Sequence, residues 1–164
     1  EMQRSLVGSE MCIRDSNVAW GDVDFLILDL PPGTGDIQLT IVQTAELDGV
    51  VVVTTPQEVA LIDARKAIGL FERVETPILG IIENMSYFQC PSDGKIYHIF
   101  GEGGGEREAA KLGVPLLGKI PLDISTRFGG DEGRPVALED PGQNPVSAAF
   151  RQVAEQCARV VLDR

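Results

Sequence analysis

Short apolar runs alternate with longer amphipathic runs from Val18 to the end of the chain. Four apolar runs have the length and composition of strands that are buried on both faces of a sheet. They are DFLILDL (24–30), GVVVVTT (49–55), PILGIIEN (77–84) and VPLLGKIP (114–121). A repeated strand–helix order of this kind is typical of a mainly parallel sheet with helices on both faces. We therefore predict an α/β fold.

Helices are predicted between and after these runs. The first covers 36–47, with Asp36 placed to cap its N-terminus, and a short one covers 105–113. In 58–74 the apolar residues recur at helical spacing and share one face: Leu61, Ala64, Ile68 and Phe71. The last helix starts with Asn144 as N-cap and Pro145 at the first position. Its apolar stripe is Val146, Ala149, Phe150, Val153, Cys157 and Val160, so we interpret Cys157 as a core residue.

The first residues differ from the rest. SLVGSEMCIRDS (5–16) has neither helical nor strand periodicity, and it resembles a peptide that recurs when sequencing-adapter reads are translated. We treat 1–16 as an artefactual or disordered tail, with a frayed natural terminus as the alternative, and give Cys12 no function. We expect 17–164 to be the C-terminal part of one domain whose natural sequence extends upstream.

Composition narrows the classes of function. The 164 residues carry a net charge of −11 and a pI near 4.4, which argues against nucleic acid or an anionic membrane as the main partner. The apolar runs fall far short of the roughly 20 residues that a membrane helix needs. Three widely spaced cysteines do not suggest a disulfide framework, so we expect a reducing, cytoplasmic setting.

Polar residues close the apolar runs: Asp29, Thr54, Thr55 and Asn84. In parallel sheets, ligands bind outside the carboxyl ends of the strands, so we expect these residues along one edge. An acid after four apolar residues, as in 25–29, is the Walker B arrangement. We predict that Asp29 binds Mg²⁺, directly or through water, beside a triphosphate.

The turn PPGTGD (31–36) follows this acid and resembles a phosphate-binding P-loop. A P-loop needs a lysine where Asp36 stands, and no G-K-[ST] occurs anywhere in the chain. We interpret Gly33, Thr34, Gly35 and Asp36 as a switch. The glycines let backbone N–H groups approach a γ-phosphate and let the loop rearrange when that phosphate leaves.

Several motifs occur in an order and at a spacing that resemble the Mrp/ApbC family of MinD-like P-loop ATPases. They are DFLILDLPPGTGDIQLT, VVVVTTPQEVALIDARKAI, GIIENMSYF, HIFGEGG, LGVPLLGKIPLD and DEGRPV. The resemblance implies a cytoplasmic homodimer that binds and hydrolyses ATP, assembles a [4Fe–4S] cluster and delivers it to apo-proteins. It implies that Asp29 is the Walker B acid, that 33–36 senses the γ-phosphate and that Asn84 contacts adenine. Considered without the family, Asn84 is more simply a loop-capping amide.

The sequence departs from the family in two places. The family's P-loop lies upstream of the Walker B strand and is absent here, so we expect this chain to bind ATP poorly or not at all and to be inactive as an ATPase. The family also places C-x-x-C after ENMSYF, whereas here Asp93 stands where the second cysteine would be, after Cys90. A carboxylate is a harder ligand than a thiolate and holds iron–sulfur clusters less well.

Three readings of this altered cluster site stay open. Cys90 and Asp93 of two subunits could hold a labile cluster, Cys90 alone could bridge a smaller one, or cluster binding could be lost. His98 is a nearby but weaker ligand candidate. The alternative function is a MinD/ParA-like ATP-dependent switch that carries no cluster.

Overall fold

The structure is a computed structural model that describes residues 21–30, 36–45 and 47–163, without the side chains of Asp36 and Ile37. The predicted tail at 1–16 and the predicted switch residues Gly33, Thr34 and Gly35 therefore lie outside the described residues. So does the capping carboxylate expected of Asp36, whose backbone begins the first described helix.

Three of the four predicted strands and all four predicted helices form in the described part of the chain. The strands are β1 (Val50–Thr54), β2 (Ile78–Glu83), β3 (Phe88–Gln89), β4 (Ile96–Tyr97) and β5 (Leu116–Lys119). The helices are α1 (Asp36–Thr44), α2 (Glu58–Arg73), α3 (Gly104–Leu112), α4 (Ile124–Asp131) and α5 (Pro145–Leu162), with a 3₁₀ turn at Val136–Leu138. Strands β3 and β4 and helix α4 are additional elements.

A parallel sheet in the order β1-β2-β5 forms the centre of the fold. Its register places Thr54 of β1 beside Glu83 of β2, and Glu83 beside Lys119 of β5. Strands β3 and β4 form a separate antiparallel hairpin. We call residues 88–97 the cysteine hairpin, because Cys90 lies directly after β3. The fold is thus α/β, with helices on both faces of a parallel sheet.

The core lies between the sheet and helices α2 and α3. Its buried residues are Val52, Ala64, Ile68, Ile81 and Ala109. The predicted face of α2 is confirmed, because Leu61, Ala64, Ile68 and Phe71 are all buried. Helix α5 packs on β5, where a Cβ at Gly118 would lie 2.5 Å from Val153 Cγ2. Close packing on both faces fixes the position of the strand ends.

The start of α5 is also as predicted. Asn144 Oδ1 accepts hydrogen bonds from the N–H groups of Val146 and Ser147, at 2.8 and 3.3 Å, and Pro145 holds the first helical position. Cys157 is half-buried on this helix, and burial raises the pKa of its thiol. Both facts agree with a packing role for Cys157.

The prediction of a strand at the first apolar run, 24–30, is wrong. Residues 24–30 form no strand in the described part of the chain, and Ile27 is 88% exposed and Phe25 50% exposed. A strand buried on both faces needs a hydrogen-bonded neighbour and an apolar layer on each side. Among the described residues, β1 pairs with β2 alone. Apolar composition was therefore insufficient to bury this run.

Among the helices that the structure describes, none is both long enough and apolar enough to cross a membrane.

Candidate functional site

The carboxyl ends of β1 and β2 meet at one edge of the sheet, as predicted for Thr54, Thr55 and Asn84. The Asn84 N–H donates to the Thr54 carbonyl at 2.7 Å, which ties the two strand ends together. Thr55 Oγ1 is buried and has no hydrogen-bond partner among the described residues. A buried hydroxyl without a partner is costly, so this edge retains one unused donor.

Asn84 shapes the turn that follows β2. Its Oδ1 accepts a hydrogen bond from the Met85 N–H at 3.0 Å, and Met85 has a positive φ of 52°. This is the loop-capping role that we expected for Asn84 from the sequence alone, without the family resemblance. No hydrogen bond from Asn84 Nδ2 is found among the described residues, and its contact with a nucleotide stays a prediction.

Glu83 is a site residue that the sequence reasoning missed. It ends β2 and is 0% exposed. Its Oε1 accepts from the Ser86 hydroxyl at 2.5 Å and its Oε2 accepts from the Gly105 N–H, at the start of α3, at 2.6 Å. An acid directly before Asn84 inside an apolar run was the available signal, because an acid is rarely buried unless its oxygens have partners.

Two glycines at the start of α3 make this contact possible. A Cβ at Gly104 would lie 2.5 Å from the Pro56 carbonyl oxygen, and a Cβ at Gly105 would lie 3.2 Å from Glu83 Oε2. Gly103, just before the helix, has a left-handed φ of 65°. The glycine-rich stretch GEGGG thus lets the helix approach the sheet edge closely and is explained by packing.

Cys90 lies at the tip of the cysteine hairpin. The Cys90 N–H donates to the Lys95 carbonyl and the Gly94 N–H donates to the Cys90 carbonyl, both at 2.8 Å, which closes the tip. Cys90 Sγ lies 3.0 Å from the Ser92 hydroxyl, and this hydrogen bond lowers the pKa of the thiol. A thiol with a lowered pKa forms the thiolate, which is the metal-binding form, more readily.

Asp93 lies on the same tip. Its Oδ1 accepts from the Lys95 N–H at 3.1 Å, and this hydrogen bond, with a further one from Cys90, lowers the pKa of its carboxyl group. The hairpin thus brings Cys90 and Asp93 together, as the C-x-x-D spacing suggested. Their roles as metal ligands stay predictions. Across the described residues, no group of three or more His, Cys, Asp or Glu side chains is arranged to hold a metal ion.

The other predicted site residues are not brought into this arrangement. Asp29 is exposed on the unpaired run 24–30, so its described surroundings do not supply the rigid strand end that a Walker B acid needs. Its role in binding Mg²⁺ stays a prediction. His98 lies 3.7 Å from Glu102, at the far side of the hairpin from its tip.

Comparisons with known proteins agree on one family. Residues 10–158 match the ParA family described as NUBPL iron-transfer P-loop NTPase. An iron–sulfur cluster carrier protein of Pyrococcus furiosus is 51% identical over 140 residues, which are 85% of this chain and 47% of that protein. The Arabidopsis thaliana iron–sulfur protein required for NADH dehydrogenase, mitochondrial, is 47% identical and is matched over 94% of this chain and 49% of its own length.

Solved structures show the same fold. A nucleotide-binding protein of Archaeoglobus fulgidus, in complex with ADP, has a TM-score of 0.68 at 43% identity, over 76% of this chain and 51% of that one. The cell division ATPase MinD of Pyrococcus furiosus has a TM-score of 0.63 at 26% identity, over 84% and 52%. The chain spans about half the length of the curated relatives it matches.

Proposed function

Because the chain belongs to the NUBPL iron-transfer family of P-loop NTPases, we propose that it acts in a nucleotide-dependent carrier of iron–sulfur clusters. One observation carries the proposal. The Asn84 turn comes directly after β2, and the cysteine hairpin comes soon after that turn. The end of one strand therefore positions both Asn84, the candidate for nucleotide contact, and Cys90, the candidate ligand of the cluster. In the proposal, movement at the Asn84 turn reaches the cysteine hairpin through Ser86 and Tyr87, the residues between them.

The cargo side of the proposal is Cys90 with Asp93. The cluster is the substrate, which the protein holds and passes to apo iron–sulfur proteins. One chain offers a single thiolate and a single carboxylate at the hairpin tip, whereas an Fe₄S₄ cluster takes four protein ligands. Two copies would supply two thiolates and two carboxylates, so we infer a homodimer. Since carboxylates bind iron–sulfur clusters weakly, this set favours release over storage.

The nucleotide side of the proposal is the edge formed by β1 and β2. In the proposal the amide of Asn84 hydrogen-bonds the adenine base, and the unpartnered Thr55 hydroxyl lies at the same edge. In the proposal Asp29 binds the accompanying Mg²⁺, and the switch residues 33–36 respond to the γ-phosphate. The G-K-[ST] sequence of a P-loop, whose lysine binds the phosphates, is absent from these 164 residues. We therefore expect only weak Mg-ATP binding by these 164 residues.

We place the protein in a reducing compartment such as the cytoplasm. Cys90 and Cys157 are both free thiols. A thiolate ligand for a transferable cluster has to stay reduced between transfers, which a reducing compartment ensures.

Anaerobic reconstitution with iron and sulfide tests the cargo side. We expect the protein to acquire a visible cluster absorption band that Cys90→Ser abolishes and that Cys12→Ser and Cys157→Ser leave unchanged. Asp93→Cys creates C-x-x-C, and we expect it to slow cluster loss to a chelator by about ten-fold or more, since thiolate is the better ligand. Colourless protein under all conditions, including Asp93→Cys, would refute the carrier proposal.

Equilibrium titration with Mg-ATP tests the nucleotide side. We expect weak binding by this chain, and tight binding by a longer protein that includes a P-loop. Asn84→Ala in the longer protein should weaken the affinity for ATP more than that for inorganic triphosphate, because the amide is proposed to contact the base. Equal losses for both ligands would contradict that assignment.

A MinD/ParA-like switch without a cluster is the second candidate. It is favoured by Asp93 in the place of a second cysteine and by the likeness to MinD. Both candidates bind nucleotide, so the reconstitution experiment separates them. Nucleotide-dependent dimerisation without any bound iron would support the switch.

A further inference from the structure

The carboxyl group of Glu83 has a contact pattern that packing alone does not require. The residue is completely buried at the end of β2, where an apolar side chain would serve the core, as Ile81 does. Burying an acid is costly unless its oxygens are hydrogen-bonded. Here both oxygens are used, one by the Ser86 hydroxyl and the other by the Gly105 N–H. The positive end of the α3 dipole also favours an acceptor at this place.

The two donors bracket the cysteine hairpin. Ser86 lies two residues before β3, and Gly105 lies in the first turn of α3, the next helix after β4. The whole segment 86–105, with Cys90 in it, is therefore held at both ends by one side chain. Backbone contacts add support at both ends. On the entering side the Ser86 N–H donates to the Ile120 carbonyl at 2.9 Å, and on the leaving side Gly104 lies against the Pro56 backbone.

The same residue is joined directly to the nucleotide edge. Glu83 precedes Asn84 in the chain, and the Asn84 N–H is bonded to the Thr54 carbonyl. A ligand that displaces the Asn84 turn therefore displaces the backbone that carries the Glu83 side chain. Since hydrogen bonds of this type depend steeply on distance and angle, a small shift is enough to weaken them.

We propose that Glu83 is the positioning residue that fixes both ends of the cysteine hairpin and connects its placement to the Asn84 turn. The inference rests on the proposed function, in that Cys90 is taken as the cargo ligand. Glu83 itself touches neither nucleotide nor cluster in this proposal. It acts through Ser86 and Gly105.

Hydrogen exchange on the whole 164-residue chain, without nucleotide or iron, tests the positioning directly. Glu83→Leu removes both acceptors at nearly constant side-chain volume. Ser86→Ala is the smaller change, because it removes only the hydroxyl that donates to Glu83 Oε1. We expect amide exchange in 86–105 to rise about ten-fold or more in either variant, the factor that corresponds to a buried hydrogen-bonding group left without its partner. Alkylation of Cys90, followed by peptide mass spectrometry, should accelerate in parallel relative to Cys157.

Three further variants make the result specific. Glu83→Gln keeps an acceptor for the Gly105 N–H and a polar partner for Ser86, so we expect it to retain most of the protection. Glu106→Gln replaces an exposed ion pair with Lys119 (2.9 Å) and leaves both Glu83 contacts in place, so we expect little change in the exchange of 86–105. Glu108→Gln weakens a buried ion pair on the same helix and should lower global stability without selectively exposing 86–105.

The outcomes are decisive in either direction. Selective exposure of 86–105 in Ser86→Ala or Glu83→Leu, with protection restored in Glu83→Gln, supports the inference. Unchanged exchange in Ser86→Ala overturns it, as does a uniform rise along the chain like that of Glu108→Gln. The exchange experiment contains no cluster and no nucleotide, so its result does not depend on reconstitution. If reconstitution fails, the proposed function is refuted, and the exchange data still show whether Glu83 positions the cysteine hairpin.

Discussion

Arg65 of α2 forms a two-fold hydrogen-bonded ion pair with Glu108 of α3, with Nε to Oε2 at 2.8 Å and Nη2 to Oε1 at 2.7 Å. The two residues are 43 positions apart in the sequence. Lys111 adds a third hydrogen bond to the same carboxylate at 2.7 Å. The pair therefore joins the two helices that cover the core. The Glu108 side chain is only 6% exposed.

This ion pair predicts acid sensitivity. The hydrogen bonds from Arg65 and then Lys111 lower the pKa of Glu108 from 4.5 to about 2. A carboxyl group with a depressed folded-state pKa stabilises the fold above its unfolded pKa, and this contribution is lost as the pH falls toward the folded value. We expect the free energy of unfolding to decrease between about pH 4.5 and 2 in the wild type. Urea denaturation at several pH values measures it.

Glu108→Gln is the matching variant. At pH 7 we expect it to lower the free energy of unfolding by about 1.5–3 kcal/mol, the range for a hydrogen bond to a charged group. The difference between wild type and variant should shrink as the pH falls toward 2. A difference that is the same at pH 7 and pH 2.5 would show that the charge of Glu108 contributes nothing.

Two glycines in helices should respond to alanine in opposite directions. Gly104→Ala would place a Cβ 2.5 Å from the Pro56 carbonyl oxygen, a backbone atom that has no room to move. We expect a loss of about 1–3 kcal/mol in the free energy of unfolding, as for other overpacked sites. Gly69→Ala in α2 meets no atom within 4 Å. It should stabilise the helix by about 0.5–1 kcal/mol, as measured by thermal denaturation.

The Asn144 cap of α5 should be worth about 1 kcal/mol. Asn144→Ala removes the acceptor for the Val146 and Ser147 N–H groups, whereas Asn144→Ser keeps a side-chain oxygen at the cap. We expect chemical denaturation to rank the free energies of unfolding as wild type, Ser and then Ala. An alanine variant as stable as the wild type would mean that the helix start is held by Pro145 and packing alone.

The two described cysteines should titrate in different pH ranges. The Ser92 hydroxyl lowers the pKa of the Cys90 thiol, and burial raises that of Cys157. Since only the thiolate reacts, iodoacetamide should label Cys90 at a lower pH than Cys157. Ser92→Ala should move the Cys90 profile to higher pH and leave the Cys157 profile in place. Coincident profiles in the wild type would contradict the assigned hydrogen bond.

Much of the fold was predictable because its information lies within short windows. The buried face of α2 follows from helical spacing, and the start of α5 follows from Asn144 and Pro145. Strands β1, β2 and β5 follow from apolar runs with β-branched residues. Periodicity and capping act over a few residues, so they can be recognised before any tertiary contact is known. The order of the motifs likewise indicated the family.

Only the tertiary structure showed which residues are held in place by residues far away in the sequence. Glu83 is held by Gly105, 22 positions away, so an acid inside an apolar run could signal burial but could not identify the group that holds it. The roles of Gly104 and Gly105 follow from how closely α3 approaches the sheet. Residues 24–30 have the apolar composition of a buried strand, yet most of them are exposed and they form no strand in the described part of the chain. Burial also requires neighbours on both sides, which composition does not specify. Contacts between distant segments are set by topology, which local sequence patterns do not specify.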